Sequence, residues 1–183
     1  MSCTALTRGR SIDCRNSAGG IKAVYIAPFD AITAVVIDGQ VTDLDLSPVD
    51  LFKYNLKRGL GNVSESINGS TENGSIYYTP TVNIKLHKLT KEDQNELKLL
   101  ASARVVIFAE LNQINASGKN TIVMLGRDNG LELNSGTVSS GVAMGDMSGY
   151  DMNFDGMEAN PMALVADYSS EPFDNTDFTV TVS

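Results

Sequence analysis

The sequence is short of the residues on which many enzymes and metal sites depend. Its 183 residues include no tryptophan, two cysteines and one histidine, His87. A single histidine excludes multi-histidine metal sites within one chain, and no Ser-His-Asp pattern accompanies it. Cys3 and Cys14 lack the CxxC spacing and the nearby histidine of zinc or redox sites. We therefore predict a protein that is not an enzyme, with no catalytic residue, no metal ligand and no cofactor.

Long apolar runs and clustered basic residues are also missing. Uninterrupted apolar runs such as 105–109 are far shorter than the roughly 20 residues of a membrane helix, and the first residues carry no apolar signal-peptide stretch. The formal net charge is −8, and the densest basic group is Lys85, Lys88 and Lys91. We expect a soluble cytoplasmic product with no membrane partner and no tight binding of nucleic acid.

Short runs of β-branched and aromatic residues, separated by turn-forming residues, dominate what is present. The Asp38-Gly39 dipeptide between two such runs is a strong hairpin signal. Apolar residues at 82, 84 and 86 alternate with polar ones, as in a half-buried strand. The predicted strands cover 22–29, 31–37, 41–46, 51–58, 75–88, 104–111, 120–126, 130–133, 149–158 and 177–182.

One helix is predicted, starting at Thr90, whose hydroxyl can accept the backbone N–H of Asp93. Leu97, Leu100 and Ala101 follow at helical spacing, which predicts about 14 residues with one apolar face packed on a sheet. Residues 59–74, rich in Gly, Asn, Ser and Glu, are predicted to form a long, partly extended loop.

About ten short strands and one helix, without regular strand–helix alternation, predict a mainly β fold. The expected architecture is a β-sandwich or open barrel with one flanking α-helix. A length of 183 residues suits one domain, so residues 1–183 are predicted to form a single unit.

The segment Asp151-Met-Asn153-Phe-Asp155-Gly156 allows two interpretations. It matches the opening of a calcium-binding EF-hand loop, but position twelve is Met162 instead of the bidentate Glu. It also fits an amphipathic strand with the carboxylates outward, which we favour because no helices flank it. Four of the seven methionines lie between 144 and 157, which indicates either an adaptable contact surface or an irregular core.

Three further segments carry a resemblance to a known family. They are Ile12-Asp-Cys-Arg-Asn-Ser-Ala-Gly-Gly-Ile-Lys-Ala-Val-Tyr25, Met124-Leu-Gly-Arg-Asp-Asn-Gly-Leu-Glu-Leu133 and Gly141-Val-Ala-Met-Gly-Asp-Met-Ser-Gly-Tyr150. In their order and spacing, together with the predicted helix, they resemble tail-tube or major tail proteins of bacteriophages, especially phages of Bacteroidota hosts.

The resemblance implies a virion structural protein that is assembled in the host cytoplasm. Its partners would be copies of itself in stacked, six-membered rings and other phage tail or neck proteins. Double-stranded DNA would pass through the channel without specific binding, and an acidic chain would repel its phosphates. Long loops and terminal arms would join subunits, so we assign that role to the N-terminal and C-terminal segments and to 59–74. Leu60, Val63 and Ile67 are the expected inter-subunit contacts.

Three other interpretations remain open. A ring, connector or neck protein of a phage tail could share the fold without polymerising. A small β-sandwich module could bind carbohydrate, or carry calcium through the Asp151 segment, although the absence of tryptophan removes the usual sugar-stacking platform. An enzyme of unrecognised type would show a concave cluster of titratable groups with shifted pKa values.

Overall fold

The structure is a computed structural model that describes Gly9, 18–46 and 49–183. The described residues form strands and one α-helix, which confirms the predicted mainly β architecture with one flanking helix. The strands are β1 Ile21–Pro28, β2 Ile32–Ile37, β3 Gln40–Leu46, β4 Phe52–Asn55, β5 Gly61–Ser70, β6 Ser75–His87, β7 Val105–Ile114, β8 Asn120–Leu125, β9 Glu132–Ser139, β10 Gly149–Asp155, β11 Ala163–Val165 and β12 Phe178–Thr179; the helix is α1 Lys91–Leu100.

The larger sheet has eight strands in the order β12-β3-β11-β8-β7-β1-β4, with β2 paired to β3. The β2–β3 hairpin turns at Asp38-Gly39, where both residues have positive φ, as the sequence predicted. The chain beyond β12 crosses to the β4 end of the sheet. There the Leu51 N–H donates to the Thr181 carbonyl at 2.8 Å, and the Lys53 N–H donates to the Ser183 carbonyl at 2.9 Å. Residues 178–183 therefore connect the two ends of the larger sheet.

The smaller sheet has four strands in the order β5-β6-β10-β9, all antiparallel. One apolar cluster fills the space between the sheets, with Ile107, Ile84 and Phe154 among its fully buried side chains. A second cluster around Phe108 and Phe173 covers the opposite face of the larger sheet. Strands β1 and β7 are buried on both faces, which explains their uninterrupted apolar runs.

Helix α1 begins as predicted and ends earlier. The Thr90 hydroxyl accepts the Asp93 N–H at 3.1 Å, and Leu97 and Leu100 pack on the inter-sheet core. The helix has ten residues instead of about 14, and Ala101 is exposed. The Ser102 hydroxyl donates to the Leu99 carbonyl at 2.9 Å, which satisfies the helix end at this point.

The loop prediction for 59–74 is wrong. Residues 61–70 are strand β5, which pairs along its whole length with β6 and turns at residues 71–74. Strand β9 likewise extends beyond the predicted strand 130–133 into residues for which the sequence predicts no strand. The strand interpretation of the Asp151 segment is confirmed, because β10 buries Tyr150, Met152 and Phe154. Cys3, Cys14 and all but the last residues of the N-terminal segment lie outside the described residues.

Candidate assembly surfaces

The outer face of the smaller sheet is polar from edge to edge. Since Val63, Ile84, Met152 and Leu133 point to the core, the alternate residues of each strand point away from it. One row across the sheet contains Asn62, Asn83, Asn153 and Ser135, and the next contains Ser64, Thr81, Asp155 and Glu132. Small hydrogen-bonding side chains thus cover a face that no other part of the described chain buries.

Hydrogen bonds fix several side chains on this polar face. The Asn83 amide donates to one Asp151 carboxylate oxygen at 2.8 Å, and the Lys85 ammonium lies 2.9 Å from the other. Partial burial raises the pKa of Asp151, but these two partners outweigh it and hold the pKa below its usual range. The one lysine of this surface is therefore already paired with a carboxylate.

Both edges of the smaller sheet are free within the described residues. Strand β5 pairs only with β6 and strand β9 only with β10, which leaves one long backbone edge on each. Because the sheet has four strands, each antiparallel to its neighbour, the edge strands β5 and β9 run in opposite directions. Unpaired edges of this length are sites at which another chain can add a strand.

The β5–β6 hairpin ends in an exposed apolar tip, which we define as residues 66–79. Strand β10 pairs with β6 only from Thr81 onward, and beyond it Glu158 makes a single bridge to Tyr78, so the end of the hairpin extends past the sheet. Ile67 and Ile76 lie on the side that faces the core further down, yet they are 72% and 66% exposed. Tyr77 is exposed on the opposite side. Exposed apolar side chains grouped in this way make the tip a candidate contact surface.

The three predicted inter-subunit residues differ in how far the structure buries them. Val63 pairs with Val82 and packs against the inter-sheet core. Leu60 is half-buried, and its carbonyl accepts the Lys85 N–H at 2.9 Å. Ile67 alone is largely exposed, at the hairpin tip. Val63 and Ile67 lie on the same face of β5, and they differ because the hairpin extends past the core, which a loop prediction could not have detected.

Two apolar exposures were missed by sequence reasoning. The first is strand β2, an uncharged strand whose Val35 and Ile37 are exposed next to an edge that is unpaired in the described chain. The second is the loop 140–148, where Val142 and Met144 are fully exposed. Of the methionines near it, Met152 belongs to the core and Met157 is exposed, so the methionine-rich stretch contributes both to the core and to the surface.

Two carboxylates are buried within the described residues, and both have partners that account for their position. Glu110 lies 2.7 Å from the Lys22 ammonium and accepts the Tyr25 hydroxyl at 3.1 Å. Glu158 accepts the backbone N–H groups of Asp128 and Asn129 at 2.6 and 3.1 Å. Among residues 18–46 and 49–183, no three His, Cys, Asp or Glu side chains converge as a metal site would require.

Comparison with known proteins returned no match among family models, curated proteins or solved structures. In the described part of the chain, no helix has the length and apolar character needed to cross a membrane.

Proposed function

We propose that this chain is a ring-forming structural subunit of a bacteriophage tail, and that its rings stack into the tail tube. The observation that carries the proposal is the smaller sheet, which combines a polar outer face with two free edges of opposite direction. The resemblance of 12–25, 124–133 and 141–150 to tail-tube proteins supports it independently.

Ring closure follows from the direction of the edge strands. When copies are related by rotation, strand β9 of one copy meets strand β5 of the next. These strands run in opposite directions, so the junction continues the antiparallel pattern of the sheet. Closure removes every exposed edge of this sheet, and the rotation makes the contact heterologous and self-limiting. The polar face then lines the channel, and the apolar face stays packed against the larger sheet.

The chemistry of the polar face suits passage of DNA without binding. Small amide and hydroxyl side chains dominate it, Asp151 neutralises Lys85, and Asp155 adds negative charge. Phosphate binding needs unpaired cations, and a field of net negative sign repels the duplex. In this role the protein resides in the virion tail, has copies of itself and other tail or neck proteins as partners, and catalyses nothing.

The test is direct imaging combined with cross-linking. Purified untagged protein should form closed rings and tubes with a central hole in negative-stain electron microscopy. In a background with Cys3 and Cys14 replaced by serine, Asn62→Cys is then combined in turn with Ser135→Cys, Thr137→Cys or Ser139→Cys. Because barrel strands are staggered, one of these combinations should give an inter-subunit disulfide ladder on a non-reducing gel.

The control places the first cysteine on another free edge. Thr33→Cys in strand β2, combined with the same three substitutions in β9, should give no ladder. A chain that stays monomeric at high concentration would contradict the proposal. Rings that cross-link only through Thr33→Cys would contradict the assignment of the channel face. Rings of one size that never stack would favour the connector or neck protein.

A further inference from the structure

The loop 140–148 presents two apolar side chains entirely to solvent. Val142 and Met144 show relative exposures of 102% and 108%, the largest among the exposed apolar residues of the described chain. Burying such side chains stabilises by about 1.5–3 kcal/mol each, and the subunit gains none of it here. The chain therefore leaves this apolar area for a partner.

The shape of the loop is set without any burial of these side chains. One carboxylate oxygen of Asp146 accepts the N–H groups of Val142 and Ala143 at 2.9 and 2.8 Å, and the Asp146 N–H donates to the Ala143 carbonyl at 3.0 Å. The two N–H donors hold the pKa of Asp146 below its usual range. Gly141 turns the backbone at a φ of 72°. A contact surface organised in this way loses little entropy on binding.

The loop and the hairpin tip lie at opposite ends of the same strands. Strand β6 starts in the tip at Ser75 and ends at His87, which pairs with Gly149. The loop joins Ser139 to Gly149, at that second end. Thirteen residues of strand separate the two ends by about 40 Å. In a closed barrel the strands tilt, but their two ends still lie at opposite rims.

We propose that the loop 140–148 of one copy docks on the β5–β6 tip, residues 66–79, of a second copy in the adjacent ring. This inference rests on the proposed function and gives it a polarity, because each ring would offer loops at one rim and tips at the other. Val142 and Met144 cover Ile67 and Ile76 of the neighbour. Such a head-to-tail contact repeats without closing, which is how rings build a tube.

Charge supports this choice of occupant. Glu72 is the only ionisable acid or base in the tip apart from its tyrosines. Lys88 lies at the base of the loop, where its N–H donates to the Ser148 carbonyl at 2.9 Å and its side chain is exposed. The loop's own acid, Asp146, already accepts the N–H groups of Val142 and Ala143. The docked arrangement brings Lys88 and Glu72, which have opposite charges, to the same interface.

The experiment uses two variants of the full chain. The loop variant carries Val142→Ser and Met144→Ser, and the tip variant carries Ile67→Ser and Ile76→Ser. Each should keep the circular dichroism spectrum of the wild type and form single rings, with tubes reduced at least tenfold in electron micrographs. A 1:1 mixture of the two preformed rings should give pairs of stacked rings, since one intact contact remains. Leu99→Ser, an exposed apolar residue of helix α1, is the matched control and should leave tubes unchanged.

The outcomes separate the two proposals. Absence of rings from the wild type would contradict the proposed function itself. If the loop variant formed as many tubes as the wild type, or if the mixed rings never paired, this inference would be overturned while the ring proposal stands. Charge exchange adds an independent readout: Glu72→Lys and Lys88→Glu should each weaken stacking several-fold, and the double variant should restore it. Failure of that restoration would place the two residues in different contacts.

Discussion

At the scale of single residues, the two carboxylates that are buried in the described chain are each matched to partners. The Glu158 side chain is almost fully buried and holds the 127–130 turn by accepting two backbone N–H groups. Glu110 is likewise buried and has Lys22 as its partner; the Lys22 ammonium lies at the surface and the carboxylate lies inside. A buried carboxylate needs such partners, because leaving it unpaired costs several kcal/mol.

We expect Glu158→Gln to lower the free energy of unfolding at neutral pH by about 1–3 kcal/mol, since an amide accepts one of the two N–H groups and opposes the other. Urea denaturation measures this difference. An unchanged unfolding midpoint would show that the turn does not depend on the carboxylate. Asp155→Asn, on the exposed side of β10, is the control and should have a small effect.

The contribution of Glu158 to the free energy of unfolding changes with pH in a definite direction. Burial raises the pKa of Glu158, and the two N–H donors only partly offset it. A raised folded pKa makes the native state bind the proton more tightly than the unfolded state. This contribution to stability is therefore largest below the unfolded value of about 4.5 and is lost as the pH rises through the folded pKa. Urea unfolding curves measured between neutral pH and 4.5 should show this gain in stability at lower pH for the wild type. The Glu158→Gln variant, which has no proton to bind there, should lack it.

At the scale of elements, the β5–β6 hairpin joins a structural half and an exposed half. Its lower residues, such as Val63, complete the core, and its tip carries Ile67 into solvent. Strand β5 was not predicted because its Asn, Gly and Ser residues have low strand propensity. The Asn73-Gly74 dipeptide is a turn signal that could have indicated the hairpin. Pairing with β6 overrides that local preference.

The two halves should respond differently to substitution. Val63→Ala should lower the free energy of unfolding by about 1–2 kcal/mol, because it removes two partly buried methyl groups. Ile67→Ser should leave stability within about 0.5 kcal/mol, because its side chain is already in water. Thermal or urea unfolding of both variants measures the contrast. Equal losses would contradict the exposed position of Ile67.

At the scale of the whole molecule, residues 181–183 join the β12 end of the larger sheet to its β4 end. Deleting them removes three backbone hydrogen bonds to Leu51 and Lys53, which we expect to cost about 2–4 kcal/mol and to expose the edge of β4. Denaturation and light scattering should show a less stable, more associating chain. Val182→Ser keeps these backbone bonds and should remain close to the wild type. An unaffected deletion variant would show that the sheet does not need this connection.

In the proposed tube, the charge of the channel wall would be a property of the whole assembly. Asn62→Lys with Ser135→Lys places two unpaired cations per copy on the polar face, so rings of this variant should retain DNA at low salt and release it steeply as salt rises. Thr33→Lys with Gln40→Lys adds the same charge elsewhere. Filter binding across a salt series compares the two, and equal retention would contradict the assignment of this face to the channel.

The sequence by itself determined the elements whose signals are local. Alternation predicted β6 and β10, the Asp38-Gly39 dipeptide predicted the β2–β3 turn, and Thr90 predicted the start of α1. Each of these predictions depends on residues only a few positions apart. The periodicity of a strand and the capping residue of a helix are both signals of this short range. The mainly β class followed from their number.

Only the tertiary structure decided which apolar residues stay exposed on the subunit. Strand β5 exists because β6 pairs with it. Ile67 is exposed while Val63 is half-buried because β10 and the larger sheet cover only part of the hairpin. The opposite placement of the 66–79 tip and the 140–148 loop likewise depends on strand order. Burial is set by contacts between residues far apart in the chain, and strand order and register, which the local pattern does not contain, determine those contacts.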